Sequence, residues 1–248
     1  MRCRAIILAI GAMIGGLACG ETLLAQDFQK SYRLAADGQI RIWTISGDVT
    51  IQGYDGAEVV VEGIRVGRDR ERVEILDNSS NNRVDVGVRY PPNCNCNASI
   101  DFRVRVPRAI ALNYDNIRSV SGNVSLSDLR GNIRTESTSG NVLVNNVTGI
   151  VSAASISGNV EVTLKMVEGA GNMRFSSVSG DVAVKAAANL DAVVEMSTLS
   201  GSLTTDFALE IQERRYGPGR SARGRLGAGV LSMRISSVSG RVSLTKVQ

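Results

Sequence analysis

The chain has 248 residues, 43% hydrophobic and only 4% aromatic, with a formal net charge of +4. A core is available, but the charge is too mild and too evenly spread for a nucleic-acid-binding face, which calls for clustered basic residues. The absence of histidine removes the usual Ser-His-Asp and Cys-His nucleophile systems and every histidine metal site.

In chain order, the first segment reads as an export signal. Arg2 and Arg4 precede an apolar run over 6–18, and a small-residue region leads to Leu23-Leu24-Ala25. That run is too short for a comfortable membrane span, so cleavage after Ala25 is expected. Gly16-Leu17-Ala18-Cys19 supplies an alternative, a lipoprotein box with Cys19 acylated and the product lipid-anchored. No later stretch is long and apolar enough to span a bilayer, so the mature chain is expected in the periplasm or at the cell surface.

Residues 26–116 are β-rich but irregular, and predict an N-terminal cap with the first coils, partly antiparallel. Gln39-Ile40-Arg41-Ile42-Trp43-Thr44-Ile45 alternates as a strand does, and Gly53-Tyr54-Asp55-Gly56 is a turn. Alternation over 83–90 and 99–106 around a cysteine-bearing loop predicts a hairpin. Tyr32, Trp43 and Tyr54 read as buried cap residues, with an exposed sugar-stacking set as the alternative. Cys94 and Cys96 flank one asparagine. Export permits a disulfide there, local or intermolecular, with free thiols the alternative; a metal would need ligands the chain does not offer.

Residues 117–248 carry a repeat. Ser-Gly-Asn-Val occurs at 121–124, 139–142 and 157–160, and glycines fall at 122, 131, 140, 149 and 158, nine residues apart. Related phrases follow at Ser179-Gly180-Asp181-Val182, Ser200-Gly201-Ser202-Leu203 and Ser239-Gly240-Arg241-Val242. Apolar residues stand two and four places after the glycine, as Val124 and Leu126 or Val142 and Val144, which places them on one face of a short strand. A third apolar position often precedes the next Ser-Gly, as Leu129, Val147, Ile156 and Val178. Glycine at the corner would supply a positive φ. A fixed period means stacking, because one unit cannot cover its own apolar face. The expectation is an all-β, single-stranded β-solenoid of roughly 18–20-residue coils. The serines of the Ser-Gly phrases and asparagines 123, 141 and 159 are expected to line up at one corner as a hydrogen-bonded ladder, the alternative being a repetitive polar surface that binds a repetitive polymer.

An insertion at 212–225 interrupts the repeat with Arg214, Arg215, Tyr216, Arg220, Arg223 and Arg225. Insertions in solenoids project as loops, often on the binding face, so these residues form a candidate site for phosphate or carboxylate groups of a glycan or lipid. The chain ends just after a strand, and its edge is a candidate self-association surface. Asp128, Glu136, Glu161, Glu168, Asp181, Asp191 and Glu195 sit at differing phases of the repeat, so a catalytic carboxylate pair is not expected. Nor do the units carry the glycines and aspartates of a calcium β-roll. No cofactor is expected.

Ile45-Ser46-Gly47-Asp48-Val49, Gly53-Tyr54-Asp55-Gly56, Val104-Arg105-Val106-Pro107 and the repeated Ser-Val-Ser-Gly-Asn/Asp-Val together resemble the DUF4097 family. These are bacterial envelope-associated β-repeat proteins described as candidate adhesins. The resemblance spans about residues 32–247 and implies a non-enzymatic β-solenoid with no catalytic residues to carry over. The function expected is an exported adhesion or scaffold module whose partner is an envelope glycan, lipid or surface protein. Alternatives are a polysaccharide-binding or polysaccharide-degrading β-helix protein and a self-assembling solenoid.

Overall fold

The computed structural model describes residues 28–167, 169–213 and 219–247. The export signal and the Cys19 alternative lie outside them. The first strands are β1 (Phe28–Tyr32), β2 (Gln39–Ser46), β3 (Val49–Tyr54), β4 (Val59–Val66), β5 (Glu74–Asp77), β6 (Arg83–Arg89) and β7 (Ser99–Pro107). Next come β8 (Leu112–Ser121), β9 (Val124–Ser127), β10 (Gly131–Ser139), β11 (Val142–Thr148), β12 (Val151–Ser157), β13 (Val160–Met166), β14 (Asn172–Ser179) and β15 (Val182–Ala186). The last are β16 (Ala192–Ser200), β17 (Leu203–Thr205), β18 (Glu210–Glu213), β19 (Arg220–Leu226), β20 (Leu231–Ser239) and β21 (Val242–Lys246). Among the described residues no helix is long and apolar enough to cross a membrane.

The strands form two large mixed sheets with no closed barrel. The ten-stranded sheet has the order β1-β4-β7-β3-β9-β11-β13-β15-β21-β17, and the eleven-stranded sheet β18-β19-β16-β20-β14-β12-β10-β8-β2-β6-β5. From β8 to β15 successive strands alternate between the sheets; parallel partners lie 18 residues apart at Val124, Val142 and Val160, and 22 apart from Val160 to Val182. The fold is β-solenoid-like. Alternation with period two sends every second side chain into the space between the sheets. One column runs Phe102, Val49, Val124, Val142, Val160, Val182, Val242 and Leu203, in register from strand to strand. Each residue of that column is buried, and each such aliphatic side chain contributes roughly 1.5–3 kcal/mol.

The corner after each strand of the eleven-stranded sheet explains the Ser-Gly-Asn phrase. A Cβ on Gly140 would lie 2.1 Å from the Gly122 carbonyl oxygen, and one on Gly158 would lie 2.2 Å from that of Gly140. At these two positions glycine is required by close backbone approach; the expected positive φ is found at the equivalent corner glycine Gly47 (φ 119) and at the opposite corner, at Gly131 (φ 125) and Gly149 (φ 132). Beside the glycines, the Asn141 N–H donates to Asn123 Oδ1 (3.0 Å), that of Asn159 to Asn141 Oδ1 (2.9 Å) and that of Asp181 to Asn159 Oδ1 (2.9 Å). Each rung satisfies a backbone donor that the turn leaves over. A second column, of buried hydroxyls, stands two residues before the exposed Ser-Gly serines. The Ser137, Ser155 and Ser177 hydroxyls donate to the Gly122, Gly140 and Gly158 carbonyls at 2.8–2.9 Å.

Three expectations are corrected. Residues 83–90 and 99–106 do not form a hairpin: β6 joins the eleven-stranded sheet and β7 the ten-stranded one, with the cysteine loop as the corner between them. The C-terminal strand is not an edge, because β21 pairs on one side with β15 and on the other with β17. Self-association through it is therefore ruled out by its own hydrogen bonding. The third concerns the third apolar position, which has two fates: Leu129 and Val147 are buried, whereas Ile156 and Val178 are 51% and 46% exposed.

Both chain ends depart from sequential stacking. The β2–β3 unit lies between β6–β7 and β8–β9, and the β20–β21 unit lies between β14–β15 and β16–β17. Antiparallel strands close the N-terminal end through β1, β4 and β5, and the β18–β19 hairpin closes the C-terminal end of the larger sheet.

Candidate functional site

Side chains pointing out from the eleven-stranded sheet fall into rows that cross the strands, because parallel pairing keeps equivalent repeat positions in register. One row, six residues before the corner glycine, reads Arg134, Ser152, Arg174, Arg234 and Glu195, and Arg223 on the antiparallel β19 continues it. Strands stand about 4.8 Å apart, so the row is about 24 Å long.

Glu195 sits between two arginines. Its carboxylate is 2.7 Å from Arg234 and 3.5 Å from Arg223. The hydrogen bond from Arg234 holds the Glu195 carboxyl below its usual range, against a smaller opposing effect of burial. Farther along the face, Arg118 pairs with Glu136 at 2.6 Å, and Arg41 lies 3.8 Å from Asp85. Arg134 and Arg174 have no carboxylate partner among the described residues. They flank a shallow hollow of about 280 Å³ floored by Ser152 and Ala154, with Glu136 and Asn172 on its rim.

Two further rows complete the face. Ala154, Ser176, Ser236, Ser197 and Ser221 stand next to the arginines. Beyond them, against the corner, Ile45, Val120, Ile156, Val178, Val238 and Leu199 are 41–51% exposed. β-Branched and other aliphatic side chains side by side on neighbouring strands stabilise the sheet through same-face contact, which accounts for half-buried aliphatic residues there.

The residues singled out from sequence are distributed differently from expectation. Arg214, Arg215 and Tyr216 lie outside the described residues. Arg220, Arg223 and Arg225 do not project on a loop. They belong to β19, which lies antiparallel on β16 because Ala222 and Leu226 continue the inward pattern against Met196 and Ala192. Arg223 is engaged by Glu195, and Arg220 donates to the Gly201 carbonyl at 3.5 Å. Cys94 and Cys96 are paired, with Cα atoms 5.0 Å apart.

Tyr32 and Tyr54 lie in the ten-stranded sheet and Trp43 in the other, so they do not form one stacking row. Tyr32 and Trp43 pack against the core, and the Tyr54 hydroxyl donates to the Glu58 carbonyl at 2.6 Å. Burial pushes the Tyr32 hydroxyl up to about 12.

The repeat-region carboxylates have separate engagements. Glu161 pairs with Lys185 at 3.1 Å on the ten-stranded sheet. Asp128 accepts from Asn146, Asp181 from the Arg241 N–H (2.7 Å) and Asp191 from the Gly229 and Val230 N–H groups. Glu168 lies outside the described residues. No cluster of metal-ligating side chains occurs among the described residues.

Arg134, Arg174 and Arg234 were not singled out from the sequence. The signal was present: each stands six residues before a corner glycine, at 140, 180 and 240.

A solved structure of a candidate cell adhesion protein from Clostridium sporogenes is similar at 8% identity, with 89% of this chain and 99% of that chain covered and a TM-score of 0.48. A candidate adhesin from Bacteroides fragilis is similar at 9% identity, with 89% and 96% covered and a TM-score of 0.33. No curated protein matches the chain. Residues 33–245 match the Toastrack DUF4097 family, and the chain belongs to that family.

Proposed function

We propose that this is an exported, non-catalytic β-repeat module of the cell envelope, in the periplasm or at the cell surface, that serves adhesion or scaffolding. Its body is read as a single-stranded solenoid of 18–20-residue coils with a partly antiparallel N-terminal cap. The outer face of the eleven-stranded sheet is its contact surface. The observation that carries this reading is the arginine row: it holds four arginines and one carboxylate, that of Glu195, which among the described residues pairs with Arg234 and Arg223 alone. A broad, rigid, positively biased sheet face suits an extended anionic partner, such as an envelope glycan or lipid headgroups, better than a small substrate. The scattered engagement of Asp128, Glu161, Asp181 and Asp191 supports the non-catalytic reading over polysaccharide cleavage, which needs two carboxyl groups across one cleft.

The test is binding of the purified protein to envelope glycans, lipid vesicles and surface proteins at low and high salt. Binding to at least one, weakened by salt, is the expected result. Salt-independent binding, or hydrolysis of any glycan in the panel, would overturn the reading.

A further inference from the structure

The arginine row contains the same arrangement twice, once with a carboxylate at its centre and once with a serine. On β20, β16 and β19, Glu195 stands between Arg234 and Arg223 and pairs with both. On β10, β12 and β14, Ser152 stands between Arg134 and Arg174 in the same row, six residues before its own corner glycine as Glu195 is before Gly201. In both triplets the flanking backbones are two strand spacings apart, about 9.6 Å.

A purely structural role does not account for the second triplet. Unneutralised cations on neighbouring strands repel one another, and Arg174 has Arg234 as its direct register partner on the other side. A glutamate at 152 would relieve this as Glu195 does. The small Ser152 and Ala154 instead open the hollow between the two guanidinium groups, with the Ser152 hydroxyl half-buried at its floor.

From this we infer that the Arg134–Ser152–Arg174 notch binds a carboxylate borne on an acidic glycan, a uronic acid residue held as Glu195 is held within the chain. The inference rests on the adhesion reading and names the ligand class for it. Arginine presents a planar fork of donors to a carboxylate, and the Ser152 hydroxyl supplies a further donor from below. Asn172 and Glu136 on the rim offer a donor and acceptors to sugar hydroxyls. An acidic peptide is less well served, because β12 is hydrogen-bonded on both sides and has no edge to which a strand could add. No aromatic side chain lines the hollow to stack a nucleic-acid base.

The test is calorimetric titration of the full chain with oligogalacturonate, its fully methyl-esterified form, a hexaglutamate peptide and acetate. Oligogalacturonate is expected to bind, and the ester, the peptide and acetate at least about tenfold more weakly. Arg174→Gln and Arg134→Gln should each weaken oligogalacturonate binding about tenfold, the loss expected for one hydrogen bond to a charged group. Ser152→Glu should abolish binding while leaving the melting temperature equal or higher, since it completes the internal triad. Lys185→Gln, which removes the same charge from the opposite sheet, should leave binding within about twofold.

Equal binding of ester and acid, full binding by Ser152→Glu, or an equal loss with Lys185→Gln would each overturn the notch. Tighter binding of hexaglutamate would overturn the glycan assignment. No binding of oligogalacturonate, alongside salt-sensitive binding elsewhere in the envelope panel, would remove the notch and leave the adhesion reading standing.

Discussion

The middle of this stack and its two ends use the same corner chemistry in different chain order. Between β8 and β15 each circuit lies on the one before it, and the asparagine, glycine and buried-serine columns repeat every 18 residues or a little more. At the ends, the first and last circuits are inserted one place inward, and the segments that bypass them form the caps. The corner chemistry carries across the C-terminal insertion. The Ser237 hydroxyl donates to the Gly180 carbonyl at 2.8 Å, and the Thr198 hydroxyl to the Gly240 carbonyl at 2.9 Å. Identical corners make circuits interchangeable, so local chemistry specifies that circuits stack without specifying their order. The arginine row depends on that order, since Arg234 stands between Arg174 and Glu195 only because β20 is inserted there.

The largest effect should come from removing residues 231–247. In a sequential stack, trimming the last repeat costs one interface. Here it separates β16–β17 and the β18–β19 hairpin from every neighbour in the body of the stack. The truncated chain is expected to lose cooperative unfolding of its C-terminal third, seen by calorimetry as a broadened, lower transition. A simple downward shift of one sharp transition would restore the sequential picture.

Next come the glycines. Gly140→Ala in the middle and Gly201→Ala at the inserted seam both bring a Cβ onto a backbone carbonyl, at 2.1 and 2.0 Å. Each should destabilise by about 3 kcal/mol, the upper range for overpacking, in chemical denaturation. A much smaller cost at Gly201 would mean the seam is looser than the middle.

How much of this was legible follows from the same contrast. The nine-residue interval and the Val124/Leu126-type pairs defined the strands and their inward faces, because period and burial are local properties. The insertion left one trace. Met173 to Gly180 reappears sixty residues later as Met233 to Gly240, and the structure pairs Met173 with Met233, Arg174 with Arg234 and Ser179 with Ser239. That likeness marks direct neighbours. The arginine-rich stretch was misleading because it reads as a projecting loop, whereas its described part is strand β19, with Arg223 and Arg225 on the outer face and Arg220 on the other. Arg134 and Arg174, which have no carboxylate partner among the described residues, are 40 residues apart in sequence and meet only through the intervening β12.

Smaller effects sharpen the comparison. The asparagine ladder ends at Arg241, whose N–H takes the Asp181 carboxylate but whose side chain cannot accept from the next corner. Arg241→Asn should supply a rung to the Ser202 N–H and raise stability by about 0.5–1 kcal/mol in denaturant titration, whereas Asn141→Ala should cost about 1 kcal/mol.

At the other end, Lys30 on β1 lies 2.5 Å from Asp77 on β5, joining the edges of the two sheets. Burial raises the Asp77 carboxyl, but hydrogen bonds from Lys30 and Ser79 outweigh it and hold the group at about 2. A carboxyl depressed in the folded state contributes stability above its unfolded value and loses it as pH falls through the folded value. The N-terminal cap should therefore loosen between about pH 4 and pH 2, and Asp77→Asn should remove that part of the pH dependence.

Hydrogen exchange followed by mass spectrometry tests the inserted order most directly. With β20 and β21 flanked on both sides, amides in Leu231–Ser239 and Val242–Lys246 should exchange as slowly as those in Asn172–Ser179 and Val182–Ala186, and more slowly than those of the edge strands Leu203–Thr205 and Glu210–Glu213. Exchange of 231–246 ahead of 203–213 would contradict the account, because the last circuit would then be the end of the stack and the arginine row would break at Arg174.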